Sequence, residues 1–172
     1  MPSQEEPQGS VATEPAPMYD MIELLYFAYR DFVGDADRLL EDYGFVRAHH
    51  RVLHFVARHP GLTIAELLDI LAITKQSLNR VLKELIAQDF IEARAGAQDR
   101  RQRRLYATRK GADLALKLAR AQTRRFADAM RSLGPDARSD AAAFLLEMID
   151  RQARARVLAL IGAPPAEARA GS

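Results

Sequence analysis

Residues 60–94 read PGLTIAELLDILAITKQSLNRVLKELIAQDFIEAR. Pro60-Gly61 ends whatever helix precedes it, because the residue before a proline is pushed out of the helical region. Thr63, with Glu66 three residues on, forms a capping box and opens a brief helix, IAELLDIL. Ala72-Ile73 is a tight link, and Thr74 is placed to cap the next helix, KQSLNRVLKELIAQ. In that helix Leu78, Val81, Leu82, Leu85 and Ile86 form the inward stripe. After Asp89 the apolar period falls from 3.6 to 2, and FIEAR reads as a strand.

The next segment, residues 93–111, is ARAGAQDRRQRRLYATRKG, with seven basic residues around one acid, Asp99. FIEAR and RRLYAT read as paired strands joined by a loop of about eight residues around Gly96 and Asp99. Two short helices joined by a tight turn and followed by a β-hairpin make a winged helix-turn-helix.

Outward from this lobe the chain is helical. From Tyr19 to Tyr43 apolar residues recur at steps of three and four (Ile22, Leu25, Tyr26, Tyr29, Phe32, Val33, Ala36, Leu40), predicting a long amphipathic helix stopped at Gly44. A second helix, VRAHHRVLHFVARH, places Val46, Val52, Leu53, Val56 and Ala57 inward. Thr108 is a cap candidate for a long basic helix reaching about Ser132. Gly134-Pro135 breaks it, and one last helix is expected from there to about Ile161. Residues 1–17 and 163–172 are polar and Pro-rich and read as disordered ends.

The fold class is therefore mainly α with a small β-hairpin. A hydrophobic content of 48% is ample for a core. There is no cysteine, which excludes disulfides and thiol-based switches. No apolar run approaches the roughly 18 residues of a membrane span. No signal peptide is evident either, so a cytoplasmic location is expected. Net charge is only +2, yet residues 1–45 hold ten acids against two bases, and residues 93–131 hold twelve bases against three acids. Segregation of this kind marks a surface aimed at a polyanion.

A helix entering a major groove presents its first turns to base edges. Thr74, Lys75, Gln76, Ser77, Asn79 and Arg80 are the exposed candidates there. Glutamine and asparagine can read adenine and arginine guanine, while hydroxyls grip phosphate. Any solvated helix face shares this composition, so the helix alone does not decide. The wing adds Arg100, Arg101, Arg103 and Arg104, with Arg94 nearby, and arginine suits a narrow, strongly negative minor groove. Asp99 is expected to pair with one of them and hold the loop.

The stretch from Phe45 to Gly111 resembles the MarR family of bacterial transcription regulators. The resemblance rests on the 60–94 pattern, on the wing D-x-R of Asp99 and Arg101, and on the A-T-x-x-G of Ala107, Thr108 and Gly111. The family usually has leucine in place of Ala107 and glycine in place of Asp89, whose side chain tolerates a left-handed conformation better than most. The resemblance implies double-stranded DNA as partner, through a pseudo-palindromic operator, and an obligate homodimer acting more often as a repressor. It implies Arg101 as the minor-groove contact, supported by Asp99. It divides the chain into a dimerisation helix (18–44), a DNA-binding lobe (45–108) and further dimerisation helices (109–162). The aromatic-rich first helix supports dimerisation independently, since it carries more apolar surface than one small lobe can cover; folding back on its own lobe is the competing reading.

Members of this family often bind small aromatic ligands between the dimerisation helices and the lobe. The corresponding lining here is Tyr26, Tyr29, Arg30, His50 and His54, although aromatics on an amphipathic helix also serve as core. His50 and His54 stand one turn apart, a spacing that can chelate a metal, but nothing completes such a site and no metal or other cofactor is expected. No nucleophile elbow or phosphate-cradling glycine loop is present, so the chain is not read as an enzyme. The competing class is a winged-helix module that meets a protein or RNA without reading an operator.

Overall fold

The computed structural model of the protein describes residues 15–96 and 102–162. Asp99, Arg100 and Arg101 lie outside the described residues, as do 1–14 and 163–172. The described elements are α1 (Tyr19–Glu41), α2 (Arg47–Arg58), β1 (Leu62–Thr63), α3 (Ile64–Leu71), α4 (Lys75–Ala87), β2 (Ile91–Ala95), β3 (Arg103–Ala107), α5 (Arg109–Leu133), α6 (Ala137–Glu147) and α7 (Arg154–Gly162).

The three threonines act as the caps expected of them. Thr63 Oγ1 accepts from the Glu66 N–H at 3.2 Å, and Glu66 Oε2 accepts from the Thr63 N–H at 2.7 Å, closing the capping box. Those hydrogen bonds, the backbone one foremost, hold the Glu66 carboxyl below its usual range. Thr74 Oγ1 accepts from the Ser77 N–H, and Thr108 Oγ1 from the Gly111 N–H at 3.1 Å. Each satisfies a donor that a helix start would otherwise leave open.

The lobe's core joins all its elements. Phe90 stands at its centre, with the Phe45 ring 5.0 Å and the Tyr43 ring 5.6 Å away. Val52, Leu53 and Val56 of α2, Leu67 of α3, and Leu78, Val81, Leu82 and Leu85 of α4 are all buried around it. The C-terminal half of α1 docks on α5 through Val33, Ala36 and Leu40, near the buried Leu114 and Leu118, and Phe32 meets Phe126 at 5.1 Å. Three residues expected inward on α2 and α4 are not buried, Ala57 being half-buried and Ile86 and Val46 exposed. Ile86 is exposed because it sits about a quarter-turn round from the centre of the α4 stripe. Val46 is exposed because it precedes the first turn of α2.

The expected hairpin is present as β2 and β3, and β1 extends it to a three-stranded antiparallel sheet in the order β1-β3-β2, with Leu62 opposite Leu105 and Thr63 opposite Arg104. One larger expectation is corrected. The single last helix is two, separated at residues 148–153. The break contains neither glycine nor proline. Arg154 stabilises it by donating to the Ile149 carbonyl at 2.9 Å and the Glu147 carbonyl at 2.6 Å, so carbonyls at the end of α6 find partners without a continuous helix.

The turn between α3 and α4 passes through Ala72, whose φ of 50° is left-handed. That conformation costs a residue with a Cβ roughly 1–2 kcal/mol, partly recovered in the unfolded chain when glycine replaces it. Ala72 is exposed, so its methyl group contributes little packing. Ala72→Gly is therefore expected to stabilise the protein by about 0.5–1 kcal/mol in urea denaturation; a destabilised variant would refute the strain at this turn.

Candidate nucleic-acid interface

The α4 helix divides cleanly. Leu78, Val81, Leu82 and Leu85 of its apolar stripe are buried, while Thr74, Lys75, Gln76, Ser77, Asn79 and Arg80 are all exposed along its first two turns. The Thr74 hydroxyl also donates to Ser77 Oγ at 2.9 Å, so the two hydroxyls are held together at the helix start.

Two side chains of α2 hold the helix pair, His49 on α4 and Arg51 on α3. His49 is buried, its Nδ1 accepting from the Val46 N–H at 3.1 Å. That bond places the ring proton on Nε2, which meets Glu84 Oε2 of α4 at 2.7 Å. The ring also stacks on Phe45 at 4.6 Å. Arg51 donates from Nη2 to the Leu71 carbonyl at 2.8 Å, capping the end of α3 next to the turn. Sequence reasoning missed both. A signal existed for His49, which shares the three-and-four spacing of Val52, Leu53 and Val56 and so belongs to the buried face.

The wing follows α4 after residues 88–90, and its strand β2 packs against that helix. Arg94 and Arg104 are direct cross-strand partners, as are Ala95 and Arg103. Like charges facing one another on a sheet repel, and each of the first pair is turned elsewhere. Arg94 lies over the Tyr106 ring at 4.5 Å and pairs with Glu92. Arg104 donates to the Gly61 carbonyl at 3.1 Å, fastening β3 to the start of β1. Arg103 and Arg104 thus belong to β3 rather than the loop, and both are exposed. The Gly96 N–H donates to the Gln102 carbonyl at 2.8 Å, the last described rung before the loop.

The base of the wing is clamped to α5. Asp89 has the left-handed φ of 62° that its place in the turn requires. Its carbonyl accepts from the Thr108 hydroxyl at 2.6 Å, and the Phe90 carbonyl accepts from the Thr108 N–H at 3.1 Å. Gly111 then passes so close that a Cβ there would sit 1.9 Å from the Phe90 oxygen. The A-T-x-x-G spacing is a joint: a cap, a clamp and a gap one atom wide.

The five residues considered for a ligand pocket fall into two groups. Tyr26, Tyr29 and Arg30 lie on the exposed N-terminal length of α1, where Arg30 pairs with Asp31 and packs over the Phe27 ring at 4.9 Å. His50 and His54 lie on α2, with ring centroids 6.3 Å apart. Burial lowers the His50 imidazole below its usual range against the opposing charge of Asp37. Burial, aided by His50, Arg58 and His59, brings His54 down to about 4. His54 faces a concavity between α2 and α5 that is floored by Ala57, Ala112, Ala115 and Ala119. No helix among the described residues is long and apolar enough to cross a membrane.

The family model described as "MarR family" matches residues 43–102. The HTH-type transcriptional regulator PetP of Rhodobacter capsulatus is 49% identical over 116 residues, covering 67% of this chain and 70% of that protein. An uncharacterised HTH-type transcriptional regulator of Staphylococcus aureus is 31% identical over 86 residues, covering 50% of this chain and 59% of that one. Among solved structures, the transcriptional regulator SlyA superposes with a TM-score of 0.64 at 21% identity, over 75% of this chain and 91% of that chain. A crystal structure of MarR gives 0.63 at 22% identity, over 83% and 95%. These two likenesses speak for the fold, and the sequence relationships for the family. The chain belongs to the MarR family of winged helix-turn-helix transcriptional regulators.

Proposed function

We propose that the chain is a sequence-specific binder of double-stranded DNA that acts as a homodimeric repressor, with α4 as recognition helix and the β2–β3 wing in the adjacent minor groove. The observation that carries this reading is the division of α4, which buries its apolar stripe and presents six polar side chains beside an arginine-rich hairpin. Gln76 and Asn79 are suited to adenine edges, Lys75 and Arg80 to guanine or phosphate, and the Thr74 and Ser77 hydroxyls to phosphate. Asp99, Arg100, Arg101, Arg103 and Arg104 form the wing set, with Arg101 as minor-groove contact and Asp99 as its brace.

Dimerisation is supported by the surface that one chain leaves uncovered. Tyr19, Ile22, Leu24 and Tyr26 of α1 are each more than 60% exposed, and Phe144 of α6, Met148 just after it, and Leu158 and Ile161 of α7 are also exposed. Apolar surface on this scale marks an interface. A two-fold dimer predicts a pseudo-palindromic operator with half-sites about one helical turn apart. A small aromatic ligand that bound one spacing of the lobes better than the other would relieve repression. Tyr26, Tyr29, Arg30, His50 and His54 are the residues proposed for it, and the site of action is the cytoplasm.

Selection of duplexes from a random pool by the purified protein tests the reading outright. Recovery of a palindromic consensus is expected, with affinity falling steeply as salt rises. Recovery of no preferred duplex, or a flat salt response, would favour a protein- or RNA-binding module instead. Arg101→Ala is expected to weaken operator binding by roughly 1–3 kcal/mol with thermal stability unchanged. Undiminished affinity would remove the wing assignment.

A further inference from the structure

We propose that Arg51, Ser77 and Arg80 form a pocket for one backbone phosphate of the bound duplex, beside the surface of α4 that reads bases. The proposal rests on α4 being the DNA-facing helix, and adds α2 to the interface. A concavity of about 180 Å³ lies where α2, the end of α3 and the start of α4 converge. Its polar lining is Arg51, Ser77 and Arg80, and Ala48, Leu71, Ile73 and Val81 line the rest. A single water needs only roughly 10–15 Å³ of such volume, so a phosphate oxyanion has room.

Each polar group of the lining is prepared for an anion. Arg51 has one of its five N–H donors fixed on the Leu71 carbonyl, which sets the plane of the guanidinium before any ligand arrives. Less rotamer freedom is then lost on binding. Ser77 Oγ accepts from Thr74, which leaves its own proton to donate. Arg80 is three residues on from Ser77 and so shares its face of the helix. No carboxylate belongs to the lining, so none there competes with an anion for the two guanidinium groups. The first turn of α4 adds its positive dipole end. Arg80 is thereby assigned to phosphate rather than to guanine, a contact that positions the protein without reading sequence.

The test uses the full chain and two duplexes, one carrying the selected operator and one unrelated, titrated between 50 and 200 mM salt. Arg51→Gln is expected to weaken binding to both duplexes by a similar factor, roughly tenfold, and to lower the log–log salt slope by about 1 for each pocket in use. Arg51→Lys keeps the charge and should restore the slope, also serving if the glutamine variant folds poorly. Replacing operator phosphates one at a time by neutral methylphosphonate should reveal one position per half-site that weakens the wild type and adds no further loss in Arg51→Gln. An unchanged slope, a loss confined to the operator, or lowered thermal stability with the slope intact would overturn the pocket and leave Arg51 as a brace for Leu71. Failure of the wild type to bind any duplex would overturn the DNA reading as well, so the two failures are distinguishable.

Discussion

Gly111→Ala is expected to destabilise the protein by about 3 kcal/mol, a fall of roughly 6–12 °C in thermal midpoint. Elsewhere in a helix the same change stabilises by roughly 0.5–1 kcal/mol, because glycine loses more freedom on folding. At Gly111 the added carbon would lie 1.9 Å from the Phe90 oxygen and 2.9 Å from its carbonyl carbon. A flexible side chain could swing away, but this obstacle is backbone held on both sides. Thr108 grips the carbonyls of Asp89 and Phe90, and Phe90 itself is locked among the rings of Tyr43 and Phe45. Relief therefore requires α5 to pull away from the base of the wing and open the core at Leu114. Gly34 supplies the control. It lies in α1, where the nearest atom to an added Cβ is the tip of Arg38 at 3.8 Å, so Gly34→Ala should be neutral or stabilising. Calorimetry or circular dichroism on the two variants reads the contrast directly; equal midpoints would mean that the joint is looser than its geometry.

The parts of the fold that were legible in the sequence are those whose cause is local. Thr63 with Glu66, Thr74 and Thr108 each cap a helix within three residues of themselves, and the α4 stripe declares its own buried face. What escaped depends on residues far apart in the chain. The two-residue strand β1 exists only because Leu62 meets Leu105, 43 positions later. The gap between α6 and α7 depends on where the Arg154 side chain turns. The polar face of α4 was legible for the same reason as its apolar one, but the partners that orient it were not. His49 reaches Glu84 across 35 positions, and Arg104 reaches Gly61 across 43. Residue type placed Arg104 among DNA contacts, whereas in the folded chain it also fastens two strands.

The double substitution Ile22→Asp with Leu25→Asp is expected to convert the proposed dimer to monomer and to reduce operator affinity at least a hundredfold. From Tyr19 to Tyr29 the α1 helix carries two acids, Asp20 and Glu23, among apolar residues, with Met21, Leu24, Leu25 and Phe27 exposed along with Tyr19, Ile22 and Tyr26. Apolar side chains exposed on this scale mark an interface, and within the chain α1 is covered only from Phe32 onward. In a two-fold interface each substitution enters twice. Four lost aliphatic contacts at about 1.5 kcal/mol or more amount to at least about 6 kcal/mol, before the cost of burying carboxylates. That is more than four decades in dimer dissociation constant. Tethering two lobes on one palindrome contributes an avidity of roughly 10²–10⁴, which monomers forfeit. Sedimentation should show one-chain mass, and a duplex with a single half-site should bind the variant and wild-type lobes alike. Because both residues are exposed in the single chain, the lobe should keep its helical signal, which separates loss of pairing from loss of fold. A variant that remains dimeric with full operator affinity would place the interface elsewhere.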